Sequence, residues 1–467
     1  MSLADVLANA PAEAAVHVGD ASISRADLRR AADDIADQLR SVGVAAGNVV
    51  AVRLPNGSAL IAALFGVWAL DAVYAPLNPR ATAAEVEANL DALRPAAIVT
   101  ARADGAWQVE PGASDAAVHE PGIALLQFTS GTTGRPKPVP LRHATVLDLI
   151  DRVVDTLTSS SRGGGVRADR PPMPNLVPVS LSLWAGIYQV LFAFRVGAPV
   201  VLMERFETGP FAELVGRFGI RSTVLPPAAM AMLADDEAIT DLAPLRIVRS
   251  ITAPLSPVQA RRFHARFGVV VLNGYGQTEL GGEVIGWSAA DAREHGDQKL
   301  GSVGRAHMGV AVRIDDAGEI LVRTPATAAR EIDPGFHDRL TDDGWFHTGD
   351  LGSVDDDGFV WIEGRVSDMI NRGGLKVFPA QVEEVLIAAD QVRDAAVVGM
   401  PDDRLGEVPW AFVVTTDGTV DEAALLAWCR ERLTAYKVPA RVIAVDALPR
   451  NEIGKVLRRE LVERAGS

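Results

Sequence analysis

The chain has 467 residues, 48% of them apolar, and a formal net charge of −15. That length suits two or more domains with a large core, and the acidity argues against general binding to nucleic acid or an anionic membrane. The only cysteine, Cys429, excludes an internal disulfide and any multi-cysteine metal site.

The stretch from Met1 to Val6 carries no basic run, so the sequence reads as cytoplasmic without a secretory leader. Ser24 to Val42 has apolar residues at helical spacing, with Ser24 and Asp27 suited to its first turn. Val49–Leu54 reads as a strand and Ala59–Leu70 as a buried helix, stopped by Asp71 and too short to span a bilayer. Val73–Leu77 is the next strand. This alternation predicts a layered α/β domain.

An apolar strand, Ile123–Phe128, then enters Thr129-Ser130-Gly131-Thr132-Thr133-Gly134-Arg135-Pro136-Lys137. Glycines let a backbone turn sharply and bring its N–H groups to a ligand. Successive inward N–H groups make an anion nest, to which hydroxyls add donors and Lys137 adds charge. The same composition fits an ordinary surface loop. The stretch is not a Walker A loop, since G-x-x-x-x-G-K-[ST] is absent.

Ala144–Leu157 reads as helix, and Ser159–Asp169 as a flexible connection. Leu181–Arg195 reads as a helix with Trp184 and Tyr188 on one face, a core pattern that could also wall a substrate. Strands follow at Ala198–Met203, Ser222–Pro226 and Ile247–Thr252. In Val269–Glu279 a strand ends in a glycine turn that presents Tyr275, Thr278 and Glu279. An aromatic there can stack on a base and a carboxylate can hold a divalent ion, or the turn is a plain hairpin. Residues 300–363 alternate turn signals with strand-like pieces and read as a small β-rich subdomain. Within it, the Asp of Thr348-Gly349-Asp350 can accept from a sugar diol or cap its own turn. From Gly364 the texture changes to a compact α+β unit of about a hundred residues, ending in Pro449-Arg-Asn-Glu-Ile-Gly-Lys455, where base rates make Lys455 a solvated surface lysine.

Taken together these stretches resemble the AMP-forming adenylating superfamily of acyl- and aryl-CoA synthetases, peptide-synthetase adenylation domains and luciferases. The resemblance spans nearly the whole chain. It rests on motifs in family order: 129–137, Tyr275–Glu279, Thr348–Asp350, Gly364-Arg365, Gly373–Pro379 and Pro449–Lys455. It implies a large multi-subdomain N-terminal α/β domain over residues 1–363, a hinge at 364–367 and a small mobile α+β lid over 368–467. It also implies a two-step ligation. A carboxylate attacks the α-phosphate of ATP and releases pyrophosphate; a thiol, usually CoA, then displaces AMP.

On this resemblance, Thr129, Ser130, Gly131, Thr132, Thr133, Gly134 and Lys137 hold the β/γ-phosphates. Thr278 meets the α-phosphate and Glu279 helps hold Mg²⁺. Asn273, Gly274 and Tyr275 belong to the nucleotide site, with Tyr275 on adenine. Asp350 and Arg365 fix the ribose, and Lys455 bridges the carboxylate and the α-phosphate. After a lid rotation, Gly373 and Gly374 would line the thiol tunnel.

Three departures from the family pattern stand out. Ser367 occupies the hinge position where many relatives carry Asp or Lys. Ser182 stands where many carry histidine, near Trp184. Ile251 of Ser250-Ile251-Thr252-Ala-Pro254 replaces a glycine that borders the acyl pocket. Ile251 either narrows that pocket, favouring a small acid, or turns into the core. The implied partners are a small acid and CoA, with no nucleic acid and no membrane span. Rival readings are a ligase that loads a carrier protein, an enzyme that activates a small acid such as nitrite for attack by an amine, and a nucleotide-binding protein without catalysis.

Overall fold

The computed structural model describes residues 2–9, 15–103, 105–129, 137–160, 172–251, 253–296, 298–328, 334–416, 418–450 and 455–466. The connection expected at 159–169 therefore lies mostly outside the described residues.

The N-terminal part is built on a six-stranded sheet in the order 107–111, 97–101, 49–53, 73–76, 123–129, 137–142. Its inner strands are parallel and its two edge strands antiparallel. Helix Arg25–Ser41 starts where predicted, with the Ser24 hydroxyl accepting from the backbone N–H of Asp27. Helix Ser58–Trp68 is buried at every position from Leu60 onward, as a helix apolar on all sides must be. A four-stranded sheet pairs Ala15–Val18 with Val200–Leu202, far apart in sequence. A parallel three-stranded sheet follows, ordered 222–225, 247–250, 270–272.

The glycine turn expected within 269–279 is absent. Val270–Leu272 belongs to the parallel sheet, whereas Gly274–Gln277 is a strand of a second, antiparallel sheet with Gly282–Gly286. The physical reason is close approach: a Cβ on Gly276 would lie 1.9 Å from the carbonyl oxygen of Gly282. Thr348–Asp350 likewise lies inside a long strand, Phe346–Val354, of a four-stranded meander over residues 311–365. This is the β-rich subdomain that the turn signals suggested.

A 3-10 turn, Val366–Asp368, leads into the small C-terminal unit. Its five-stranded sheet carries helices Pro379–Ile387 and Glu422–Arg432. Cys429 is fully buried there, and burial pushes its thiol up to about 11, which fits a packing residue rather than a nucleophile. No helix among the described residues is long and apolar enough to cross a membrane.

Candidate active site

The site is organised by the strand Gly274–Gln277, the 3-10 turn Thr278–Leu280 and the returning strand Gly282–Gly286. Asp350 is 2% exposed. Its Oδ2 accepts from the Tyr275 hydroxyl at 2.6 Å and from Gln277 Nε2 at 2.9 Å. Its Oδ1 accepts from Arg365 Nε at 2.7 Å. Three donors on one buried carboxylate offset its desolvation. Burial, then the Asp350 charge, pushes the Tyr275 phenol well above its usual range, so it stays a neutral donor.

Two residues that the sequence reading did not single out complete this network. Gln277 also donates to the Thr348 carbonyl at 2.8 Å. Arg339 donates to the carbonyls of His347 and Thr348, each at 2.9 Å, and to Gln277 Oε1 at 3.2 Å. Its guanidinium lies 4.3 Å from the Phe346 ring centroid and 3.4 Å from Glu279 Oε1. Gln277 was visible inside its motif. Arg339 lies sixty positions from Glu279 and has no local signature.

Glu279 keeps Oε2 without a partner among the described residues. One carboxylate, a neighbouring Thr278 hydroxyl and incoming phosphate oxygens form the hard-oxygen set that Mg²⁺ takes, so these residues fit that ion.

The phosphate-loop residues Ser130, Gly131, Thr132, Thr133 and Gly134 lie outside the described residues. The backbone at its base does not: Thr129 pairs with Lys137 in antiparallel register. Strand Lys137–Arg142 touches the Thr278–Leu280 turn, and Val139 packs against Leu280, Val284 and Ile285. Asn273 uses its side chain on its own surroundings, donating to the Ser302 carbonyl at 3.3 Å and accepting from the Gly274 N–H at 3.1 Å.

Lys455 comes from the other unit. The Arg450–Val456 bridge closes the segment that carries it. It is half-buried, not solvated as base rates suggested. Burial, then Arg365, lowers its ammonium below the usual lysine value, and Asp368 and Asp350 act in the opposite direction. Lys455 therefore lies within electrostatic reach of Arg365 and Asp350. Gly373 and Gly374 form a tight turn with φ of 60° and 87°. The Gly373 N–H donates to the Leu405 carbonyl at 2.7 Å, and the Gly374 N–H to Asn371 Oδ1 at 2.9 Å.

The residues expected to wall the acid are Ser182, Trp184, Ile251 and Thr252. Ser182 is buried, its hydroxyl 2.7 Å from that of Ser180 and its carbonyl accepting from Gln127 at 3.1 Å. Trp184 Nε1 donates to the Gly281 carbonyl at 2.9 Å, tying its helix to the site turn. Ile251 is half-buried and packs against the main core. Thr252 lies outside the described residues.

The large N-terminal α/β part and the small C-terminal unit each match a known family. Residues 3–330 match the AMP-binding enzyme family, and residues 381–455 match the AMP-binding enzyme C-terminal domain. The chain belongs to this family and is an ATP-dependent, AMP-forming ligase. It is 33% identical to a feruloyl-CoA synthase of Amycolatopsis sp, over 98% of this chain and 96% of the relative. It is 30% identical to a long-chain-fatty-acid–CoA ligase of Mycobacterium tuberculosis, over 95% and 93%. Among solved structures, the ATP-bound MatB of Rhodopseudomonas palustris is 25% identical, covers 99% of both chains and has a TM-score of 0.84. The amide bond synthetase McbA of Marinactinospora thermotolerans is 28% identical, covers 98% of both and has a TM-score of 0.82.

Proposed function

We propose that this enzyme adenylates a carboxylic acid with ATP and passes the acyl group to CoA. The observation that carries the reading is the buried Tyr275–Asp350–Arg365 network, with Lys455 of the C-terminal unit within electrostatic reach of it. In the first step a carboxylate oxygen attacks the α-phosphorus, the bond to the bridging oxygen breaks, and pyrophosphate leaves. Two anions must meet, so the cation of Lys455 lowers the barrier by sitting between them. The Thr278 hydroxyl faces the α-phosphate, and the loop 129–137 takes the outer phosphates. Glu279 would hold Mg²⁺, which when bound would supply charge neutralisation at the phosphates. Asp350 and Arg365 position the ribose, and Asn273, Gly274 and Tyr275 flank the base.

In the second step the thiol sulfur attacks the acyl carbon, the carbon–oxygen bond to AMP breaks, and the thiol proton passes to solvent. Lys455 feels the charges of Arg365 and Asp350, whereas the Gly373 and Gly374 N–H groups bond within the C-terminal unit, which supports assigning this arrangement to the first step. Rotation about residues 364–367, with Ser367 in the 3-10 turn as pivot, would exchange the two and turn the lid of residues 368–467 over the body of residues 1–363. Ile251 packs against the core cluster that includes Leu181 and Trp184, and on the reading that this packing draws the pocket wall inward the acid is small or narrow. The setting is cytoplasmic.

The likeness to an amide bond synthetase supports a second reading, in which an amine takes the activated group. A carrier protein as acceptor, or nitrite as the activated acid, are further outcomes of the same test. ATP–pyrophosphate exchange is measured over small, aryl and fatty acids and nitrite, and products with CoA are weighed by mass spectrometry. Exchange with an acid and an acyl-CoA product is expected. An N-linked product would favour the amine reading, strong exchange with long-chain acids alone would overturn the narrow pocket, and no exchange at all would end the adenylation reading.

A further inference from the structure

A second charged cluster lies next to the nucleotide site and takes no part in the network described above. Arg249 Nη1 is 2.5 Å from Glu283 Oε1, and His307 Nε2 is 2.9 Å from the same oxygen. Arg249 Nη2 also donates to the Trp287 carbonyl at 3.3 Å. The side chains of Arg249 and Glu283 are 33% and 25% exposed, so the pair borders open space rather than core. Glu283 Oε2 has no partner among the described residues, and neither has the Tyr188 hydroxyl.

Its location is set by the fold. Arg249 stands at the C-terminal end of the parallel strand Ile247–Ser250, next to Ser250 and Ile251. Ligands of open parallel sheets bind beyond such strand ends. Glu283 pairs with Gly276, two residues before Thr278. Its carboxylate reaches along the strands to the Gly274–Gly286 pair, on the side away from Thr278. Trp184 and Tyr188, with ring centroids 5.9 Å apart, close the side. Trp184 Nε1 donates to the carbonyl of Gly281, two residues before Glu283, which brings the Trp184–Tyr188 face to this strand.

The cluster is built into the backbone. A Cβ on Gly286 would lie 2.2 Å from Glu283 Oε1, and one on Gly274 2.5 Å from Oε2. These two glycines are cross-strand partners, and the carboxylate occupies the space that their missing side chains leave.

Resting on the adenylation reading, we propose that Arg249, Glu283, His307 and Tyr188 form the distal end of the acid pocket. The acid selected there is short and carries an amino or hydroxyl group far from its reacting carboxylate. The spare Glu283 oxygen accepts that N–H or O–H. An alkyl tail would cover a half-open ion pair without replacing its water, which is costly. A second carboxylate would meet Glu283, with Arg249 already engaged. A site with a polar partner in place discriminates against analogues that leave it unpaired.

The test is ATP–pyrophosphate exchange with the full-length enzyme on matched short acids. Their distal position bears hydrogen, methyl, hydroxyl, amino or carboxyl, and a long-chain fatty acid completes the panel. The amino or hydroxyl members should exceed their methyl counterparts by roughly 100-fold in kcat/KM. Glu283→Val should reverse that order, and Glu283→Gln should retain part of it. Exchange led by methyl, dicarboxylic or fatty acids in the unmutated enzyme overturns the proposal while leaving adenylation standing. Silence with every acid removes the adenylation reading and this proposal with it. The unmutated panel decides even if Glu283→Val fails to fold.

Discussion

Two carboxylates reach the strand Gly274–Gln277, and they are treated in opposite ways. Asp350 is sealed and receives three donors, from Tyr275, Gln277 and Arg365. Glu283 is a quarter exposed and concentrates its partners on one oxygen. The first arrangement is a rigid scaffold whose hydrogen-bonding capacity is largely spent internally. The second keeps capacity in reserve for something that arrives. On the proposed reading, a saturated carboxylate holds what every substrate cycle shares, the nucleotide, whereas an unsaturated one reads what distinguishes one acid from another. Removing each in turn separates these roles.

The largest effect is expected from Asp350→Ala. It strands three donors, one of them the charged Arg365, whose side chain is 44% exposed and can be rehydrated, so the loss is that of charged hydrogen bonds, about 1.5–3 kcal/mol. Denaturant unfolding should show that loss together with a collapse of ATP binding. If stability is unchanged, Asp350 is not the scaffold described. Lys455→Ala comes next. It should lower ATP–pyrophosphate exchange about 100- to 1,000-fold, for every acid alike, because the charge acts on the phosphate and not on the acid's far end. A loss confined to some acids would move Lys455 from the Asp350 side of the comparison to the Glu283 side.

How much of this was legible before the fold was known follows the same division. Motif residues on the Asp350 side were readable because glycine, threonine and acid recur together within short windows. Their secondary structure was not. Thr348-Gly349-Asp350 looks like a turn but runs through a strand, since Gly349, at φ 75°, bends the strand without ending it. Tyr275 and its neighbours also look like a turn, because glycines needed for close strand approach mimic glycines needed for reversal. Helix Ser58–Trp68 was readable from its unbroken apolar run. The pairing of Ala15–Val18 with Val200–Leu202 was not, because nothing local encodes a contact across that separation. The Glu283 side left a fainter signal: an arginine and a glutamate inside otherwise apolar or small-residue strands, Ile247–Ser250 and Gly282–Gly286. A charge in such a strand asks for a partner, but only the fold shows that each is the other's.

The glycines sharpen the contrast at a smaller scale. Gly276→Ala drives a Cβ to 1.9 Å from the Gly282 carbonyl oxygen, a backbone atom that cannot swing aside. Overpacking of that kind costs about 1–3 kcal/mol, and thermal unfolding should report it. Gly286→Ala meets only movable side-chain ends, those of Glu283, His307 and Arg249, at 2.2, 2.9 and 3.1 Å. It should leave thermal stability nearly unaltered while flattening the preference among acids. Equal destabilisation by both substitutions would mean that the Glu283 cluster is structural.

The smallest effect concerns pH, and it belongs to the Asp350 side alone. Burial, then Arg365, holds the Lys455 ammonium below the ordinary lysine value of 10.5. The cation is therefore lost from the free enzyme at lower pH than from an exposed lysine. The folded state disfavours the charged form, so stability should rise as pH climbs from the folded value towards the ordinary one. Activity should move the other way: kcat/KM for ATP, which reports the free enzyme, should fall through that same window. Lys455→Arg keeps its charge throughout, so whatever rate it retains should lose this alkaline fall. Because Glu283 acts on the acid and not on the phosphate, Glu283→Gln should leave the fall where it was. A limb that shifts with Glu283→Gln and stays with Lys455→Arg would show that the two carboxylates share one electrostatic unit rather than two.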